Sequence, residues 1–238
     1  MPEWHSTNSL AMELGQRTNG TEGTVIITDN QFSGRGQRGN RWISEPGKNF
    51  TLSIILKPTL PPEQQFLLTQ VIALGVADYV KTQVPPDLVK IKWPNDILVA
   101  GQKVCGILIE SSLSGSSVQF IVAGIGLNMN QQSFENSLAT SLACVSGNSY
   151  DLQKELPGLL QAVEIRYLQL REGKVNKLKL DYKSNLYRLG EWHDFKTVQG
   201  TFQGRIEGVD EAGKLVVQSN AGTFSFDLKE INFVDRSI

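Results

Sequence analysis

Three stretches of the chain hold side chains suited to handling anions. From Gln31 to Trp42 the sequence reads QFSGRGQRGNRW, interleaving Gly34, Gly36 and Gly39 with Arg35, Arg38 and Arg41. Arginines offer forked donors to phosphate or carboxylate. Glycines let backbone N–H groups come close to an anion. The second stretch, KIKWPNDILVAGQKVCGILIE, sets Lys92 and Lys103 on either side of a unit holding Trp93, Asn95 and Asp96. A lysine entering an apolar strand, with its ammonium in a cleft, neutralises a carboxylate or a charged transition state. Taken alone, Lys103 also reads as a solvated strand-end lysine and Asp96 as a turn cap. The third stretch, VAGIGLNMN, alternates glycines ahead of Asn128 and Asn130. Asn128 could hydrogen-bond a purine, or the segment is a glycine-loosened strand in a packed sheet.

Other chemistries fit less well. Gly34, Gly36 and Gly39 match the G-x-G-x-x-G spacing of dinucleotide-binding turns, but that fingerprint needs a helix opening on the last glycine. Here a Pro46–Gly47 pair and strand residues follow, and the first acid near the right distance, Glu63, starts a helix instead of ending a second strand. NAD is therefore not expected. No G-K-[ST] follows a glycine run, and no G-x-S-x-G elbow occurs. The two histidines, His5 and His193, and the two cysteines, Cys105 and Cys144, give no C-x-x-C spacing and make a protein-held zinc unexpected. Both cysteines are expected to be reduced and buried. A net charge of −1 lacks the basic footprint of a nucleic-acid binder. No stretch approaches the ~18 apolar residues of a membrane span, and the N-terminus lacks a secretory pattern. These features point to a soluble cytoplasmic protein.

The elements that must position these groups follow from periodicity. SLAMELGQRTNG reads as a short amphipathic stretch ended by glycines and polar residues, and GTVIITDNQ and NFTLSIILKP as strands. Phe66, Leu67, Val71, Ile72, Leu74, Ala77 and Val80 recur at helical spacing between about Pro62 and Gln83. LVKIKWPNDILVAGQKVCGILIESSLSGSSVQFIVAGIGLNMN holds four strand segments with short turns, hence an antiparallel meander. Helical pattern returns from about Asp151 to Arg171 and from Lys174 to about Tyr187. From residue 190 onward short strands suggest a compact barrel. The expectation is an α+β fold with a mixed, largely antiparallel sheet and helices over residues 1–189, plus a small C-terminal β-barrel over residues 190–238.

In order along the chain stand STN, Q-x-x-GRGQRG-x-x-W, KWPNDI, K-V-C-GILIE, GIGLN and ATSL. This ordered set, spanning roughly residues 5 to 142, resembles the biotin–protein ligases (biotin–[acetyl-CoA-carboxylase] ligases). The resemblance implies a class II synthetase-like catalytic domain with an SH3-like end domain. It also implies a two-step reaction, in which biotin and ATP give biotinyl-5′-AMP and a lysine of a biotin carboxyl carrier protein then takes the biotin. By this resemblance Ser6, Thr7, Asn8 and Gln31 would line the biotin end. Gly34, Arg35, Gly36 and Gln37 would contact biotin or its adenylate. Lys103 would hold the biotin carboxylate, with backbone from Gly106 and Ile107 nearby. Arg38, Trp42, Asn95 and Asn128 would serve ATP, and Mg²⁺ would ride on its phosphates without a protein cage. Arg35, Lys103 and Asp96 would be catalytic, Asp96 orienting the incoming lysine. Many members carry arginine where this chain has Gln37, a loss of charge bearing on adenylate retention. The STN motif begins at residue 6, so no DNA-binding helix-turn-helix and no operator binding are expected. Pairing of edge strands into a homodimer is compatible with the resemblance. A lipoate–protein ligase, with a different arginine motif and lysine context, is the nearest enzymatic rival. A biotin-sensing module without activity is the non-enzymatic one.

Overall fold

The computed structural model describes residues 2–17, 20–61, 64–114 and 117–234, without the side chains of Arg38, Ser114 and Ser117. Glu63, singled out above, and the turn expected at Ser114–Gly115 in the meander lie at least in part outside the described residues. In chain order the elements begin with β1 (Glu3–Trp4), α1 (Thr7–Arg17), β2 (Val25–Ile27), β3 (Asn30–Gln31), β4 (Asn49–Leu56) and α2 (Gln65–Gln83). The meander follows as β5 (Val89–Lys92), β6 (Asp96–Val99), β7 (Gln102–Ser114) and β8 (Ser117–Asn128). Then come α3 (Leu142–Ser146), α4 (Leu152–Arg171) and α5 (Val175–Ser184). The last part is all strand, with β9 (Trp192–Thr197), β10 (Gly200–Val209), β11 (Leu215–Ser219), β12 (Gly222–Phe226) and β13 (Asn232–Phe233).

The main sheet has six strands in the order β2-β4-β8-β7-β6-β5, all antiparallel. Strand side chains alternate between faces, and here the two faces differ in kind. One carries Phe50, Leu52 and Ile54 of β4, Ile121, Ala123 and Ile125 of β8, and Cys105 and Ile107 of β7, all in the core that α2 shares. α2 is buried nearly all round, with Leu68, Val71, Ile72, Leu74 and Val80 fully enclosed between the sheet and α4. On the other face, Ile55, Phe120 and Val122 pack beneath α1 through Ala11. Continuing along the same strands, that face turns from apolar to small and polar. Thr51 pairs with Gly126, Ser53 with Gly124, and Gly106 with Gly126. α1 covers the apolar end of this face only, and the candidate site opens on the remainder.

The C-terminal strands form a five-stranded antiparallel sheet in the order β12-β11-β10-β9-β13. Among the described residues its edge strands β12 and β13 do not pair, so closure of the expected barrel is not seen. Phe195, Ile206, Leu215 and Val217 join the same apolar cluster as α2. Trp93 Nε1 donates to the Gly213 carbonyl at 2.9 Å, and Gly213, at φ +86°, leaves room for the Phe66 ring. One expectation is corrected: Cys105 is buried but Cys144 is exposed. Cys144 lies on the short helix α3, where Leu142 and Ala143 face inward and it does not. Among the described residues no helix is long and apolar enough to cross a membrane.

Arg166 ties three helices together, bonding Asp78 of α2 and Asp181 of α5, each at 2.6 Å. Burial raises the Asp181 pKa, but hydrogen bonds from Lys177 and Arg166 outweigh it and hold the carboxyl below its ordinary value. A depressed carboxylate stabilises the fold above its unfolded pKa of about 3.9, and that contribution disappears as pH falls through the folded value. Asp181→Asn should therefore lower Tm at pH 7, and the gap to wild type should close as the pH drops below about 4. A gap independent of pH in thermal melts would contradict this assignment.

Candidate active site

The open part of the sheet face forms the floor of a cleft of about 370 Å³, within the range of small-molecule sites. Gly124 and Gly126 carry no side chain on this floor for a steric reason. A Cβ on Gly126 would stand 2.3 Å from the Trp42 ring, and one on Gly124 would stand 2.2 Å from Asn8 Oδ1. Trp42 thus lies directly on the strands, and its buried Nε1 has no hydrogen-bond partner among the described residues.

At one end of the floor the turn after β5 brings Asp96 opposite Gly106 on β7. Lys103, at the start of β7, reaches back so that its Nζ lies 2.7 Å from Asp96 Oδ1 and 5.8 Å from the Trp42 ring centroid. Both members of the pair are partly exposed. Such pairs contribute on the order of 1 kcal/mol or less, so an entering carboxylate can draw Lys103 away from Asp96 at small cost. Asn95 holds the turn against β7: Ile107 N donates to the Asn95 carbonyl at 3.0 Å, and Asn95 Nδ2 donates to the Ile107 carbonyl at 2.5 Å. Burial pushes the Cys105 thiol well above its ordinary pKa despite the nearby Lys103 ammonium, which keeps a thiolate out of this chemistry.

At the other end, the first turn of α1 and the Gly/Arg loop meet β4 and β7. Gln31 Oε1 accepts from Thr7 N at 2.9 Å. The Ser53 hydroxyl lies 2.8 Å from Thr7 Oγ1 and 2.5 Å from Asn8 Oδ1. Asn8 Nδ2 donates to Glu110 Oε2 at 2.8 Å, and Arg35 Nη2 donates to the same oxygen at 2.7 Å. A continuous polar chain therefore runs from Gln31 to Arg35 along the cleft wall. The loop itself is held by backbone bonds, Trp42 N to Gly34 O and Gly36 N to Asn40 O. A short 3-10 turn at Gln37–Gly39 gives way to extended chain at Asn40.

The structure brings most of the residues singled out from sequence into this one cleft. Ser6, Thr7, Asn8, Gln31, Arg35, Gly36, Gln37, Trp42, Asn95, Asp96, Lys103, Gly106 and Ile107 all line it. Three expectations differ in detail and a fourth is outside the described residues. Gly34 is buried behind the lining, against the Trp42 carbonyl and the Gln31 side chain. The Ile107 backbone groups are already bonded to Asn95, and its side chain faces the core. Asn128 is buried, with Nδ2 donating to the Thr140 carbonyl at 2.9 Å, and does not reach the cleft surface. The Arg38 side chain lies outside the described residues. Lys92, set beside the Trp93–Asp96 unit in the sequence, lines the cleft too; sequence reasoning passed over Ser53 and Glu110, which brace its wall, and Lys229 and Phe233, which line it. The last two come from the C-terminal part, and Lys92 Nζ sits 4.9 Å from the Phe233 ring centroid.

Residues 3–128 match the Biotin/lipoate A/B protein ligase family. The chain is 33% identical to the bifunctional ligase/repressor BirA of Bacillus subtilis (strain 168), over 91% of this chain and 68% of that protein. It is 31% identical to the biotin--[acetyl-CoA-carboxylase] ligase of Paracoccus denitrificans, over 96% of this chain and 97% of that one. Among solved structures, the biotin protein ligase from Aquifex aeolicus in complex with biotin and ATP superposes with a TM-score of 0.79 at 26% identity, covering 98% of this chain and 97% of that chain.

The bare floor gives a direct test. Gly126→Ala should push the Trp42 indole off the sheet, seen as increased acrylamide quenching of tryptophan fluorescence that a Trp42→Phe background abolishes. Unchanged quenching would mean that the ring does not rest on Gly126.

Proposed function

The chain belongs to the biotin/lipoate A/B protein ligase family, and from that membership and the cleft we propose the following chemistry for it. It is an ATP-dependent ligase that activates biotin to biotinyl-5′-AMP and transfers the biotin to a lysine of a biotin carboxyl carrier protein, in the cytoplasm. The observation that carries the residue-level reading is the Lys103–Asp96 pair, 2.7 Å apart beside the bare strand position of Gly106.

In the first step an oxygen of the biotin carboxylate attacks the α-phosphorus of ATP. The bond to the β-phosphate oxygen breaks and pyrophosphate leaves. Two anions must meet, so their repulsion is the main obstacle, and fixed cations in a partly dehydrated cleft remove it. Lys103 takes the carboxylate as it lets go of Asp96. Arg35 and Gly36 stand over the reacting atoms, and Arg38 serves the phosphates. Ser6, Thr7 and Gln31 line the biotin end, and Asn8 forms its wall. Trp42 packs on the nucleotide side. Asn95 and Gln37 border the nucleotide and the adenylate. The adenine role expected of Asn128 has no support in its buried position.

Mg²⁺ carried on the ATP phosphates would supply charge neutralisation. The donors at hand fit a cation carried by the substrate: the cleft carboxylates Asp96 and Glu110 are each engaged by a protein cation. Among the described residues no cluster of three or more metal-binding side chains occurs. In the second step the acceptor lysine amine attacks the acyl carbon, the amide forms, and AMP leaves with the former carboxylate oxygen. Asp96, released from Lys103, orients that amine and takes its proton.

The reading predicts that protein mixed with ATP, Mg²⁺ and biotin yields biotinyl-AMP by mass spectrometry, and that lipoate yields no adenylate. Lys103→Ala should lower adenylate formation by about 100-fold or more. Asp96→Asn should slow transfer to the carrier lysine more than it slows adenylate formation. Lipoyl-AMP alone, or an Asp96→Asn variant impaired equally in both steps, would overturn the assignment.

A further inference from the structure

Glu110 stands on β7 two alternations beyond Gly106, on the cleft face of the sheet and opposite Val122. A carboxylate beside a site for two anions opposes binding through Coulomb repulsion, so its presence needs an explanation. Its Oε2 accepts from two side chains that come from different parts of the chain, Asn8 of α1 and Arg35 of the Gly/Arg loop. On the Asn8 side the arrangement is closed. Asn8 is almost completely buried, its Nδ2 also lies 3.3 Å from the Leu108 carbonyl, and its Oδ1 lies 2.5 Å from the fully buried Ser53 hydroxyl. Both ends of the Asn8 amide are thus satisfied by protein, so it braces Glu110. On the Arg35 side the arrangement is open. Nη2 is committed to Glu110, the guanidinium is partly exposed at the cleft, and an arginine has further N–H donors to offer.

We propose that Glu110 is a positioning residue for the adenylation step: braced by Asn8, it fixes the Arg35 guanidinium over the cleft from the rigid sheet. This rests on the ligase reading above. A charge-assisted bond from one Nη tethers the guanidinium to the sheet, leaving its remaining donors available to the cleft. The same contact cancels the charge that Glu110 would otherwise present to the substrates. It also links the helix that carries Thr7 and Asn8 to the loop that carries Arg35, so both take their position from β7.

The test is a double-mutant cycle on Glu110→Ala and Arg35→Ala, with Glu110→Gln alongside. Rates of biotin-dependent pyrophosphate release and hydrogen exchange of residues 33–42 in the ligand-free protein are both measured. Glu110→Ala should slow adenylation by roughly 10- to 100-fold, the range for a misplaced catalytic group. The double variant should be no slower than Arg35→Ala within about twofold, because groups acting as a unit are non-additive. Glu110→Gln, which keeps an acceptor, should lie between wild type and Glu110→Ala. Loop exchange should accelerate alike in both single variants and no further in the double. Losses that multiply in the double variant, or a Glu110→Ala protein with wild-type loop exchange, would overturn the proposal. The exchange measurement needs no turnover, so a wild-type protein that forms no biotinyl-AMP would refute the ligase reading while leaving Glu110 to be judged on the loop alone.

Discussion

Lys103 and Asp96 sit on neighbouring strands with their charged atoms 2.7 Å apart, and Gly106 leaves room for the Lys103 ammonium. The rest of the cleft is arranged so that this pair can form, stay partly exposed and be broken by a substrate. A fully buried pair would cost several kcal/mol to separate, and a fully solvated one would be screened and unable to steer a carboxylate. The intermediate exposure of Lys103 and Asp96 meets both demands. It depends on Gly106 and Gly126, where any side chain would fill the space above the strands. It depends also on Asn95, whose paired bonds to Ile107 hold the turn that carries Asp96.

Support for that turn comes from far along the chain. The Trp93 indole donates to the carbonyl of Gly213, in the turn between β10 and β11, and Tyr182 of α5 donates to the Pro94 carbonyl at 3.2 Å. The C-terminal sheet is thereby joined to the turn bearing Asp96, and through Lys229 and Phe233 it also lines the cleft. The apolar cluster passes from α2 into this sheet without interruption, so displacing the sheet would disturb the core and the site together. The helical side is secured separately by Arg166 and its two aspartates, away from the chemistry.

Much of this was legible in the residue order. The meander from Val89 to Asn128 could be read from alternation and turn residues, because antiparallel neighbours with short links are local structure. The motifs STN, GRGQRG, KWPND, GILIE and GIGLN named the cleft-forming segments. Ser53 was not legible because NFTLSIIL reads as one apolar run. Only the register, pairing Ser53 with Gly124, shows that Thr51 and Ser53 face the site while Leu52 and Ile54 face the core. Glu110 carried a signal in principle, since stepping by two from Gly106 through Leu108 arrives there, but the function of that face was not known. Asn128 shows the converse. It lies two residues past Gly126 on the same face, yet the chain at Thr140 folds over it, a contact no local pattern announces. Lys229 and Phe233 were hidden for the same reason, being more than a hundred residues from the strands they meet.

The central claim is that this cleft joins a carboxylate oxygen to the α-phosphorus of ATP and later leaves that oxygen on AMP. Turnover with biotin carrying ¹⁸O in both carboxylate oxygens tests it directly. The account predicts AMP bearing one ¹⁸O in its phosphate and a biotinyl amide retaining the other. AMP without label, or label found in the pyrophosphate, would contradict it.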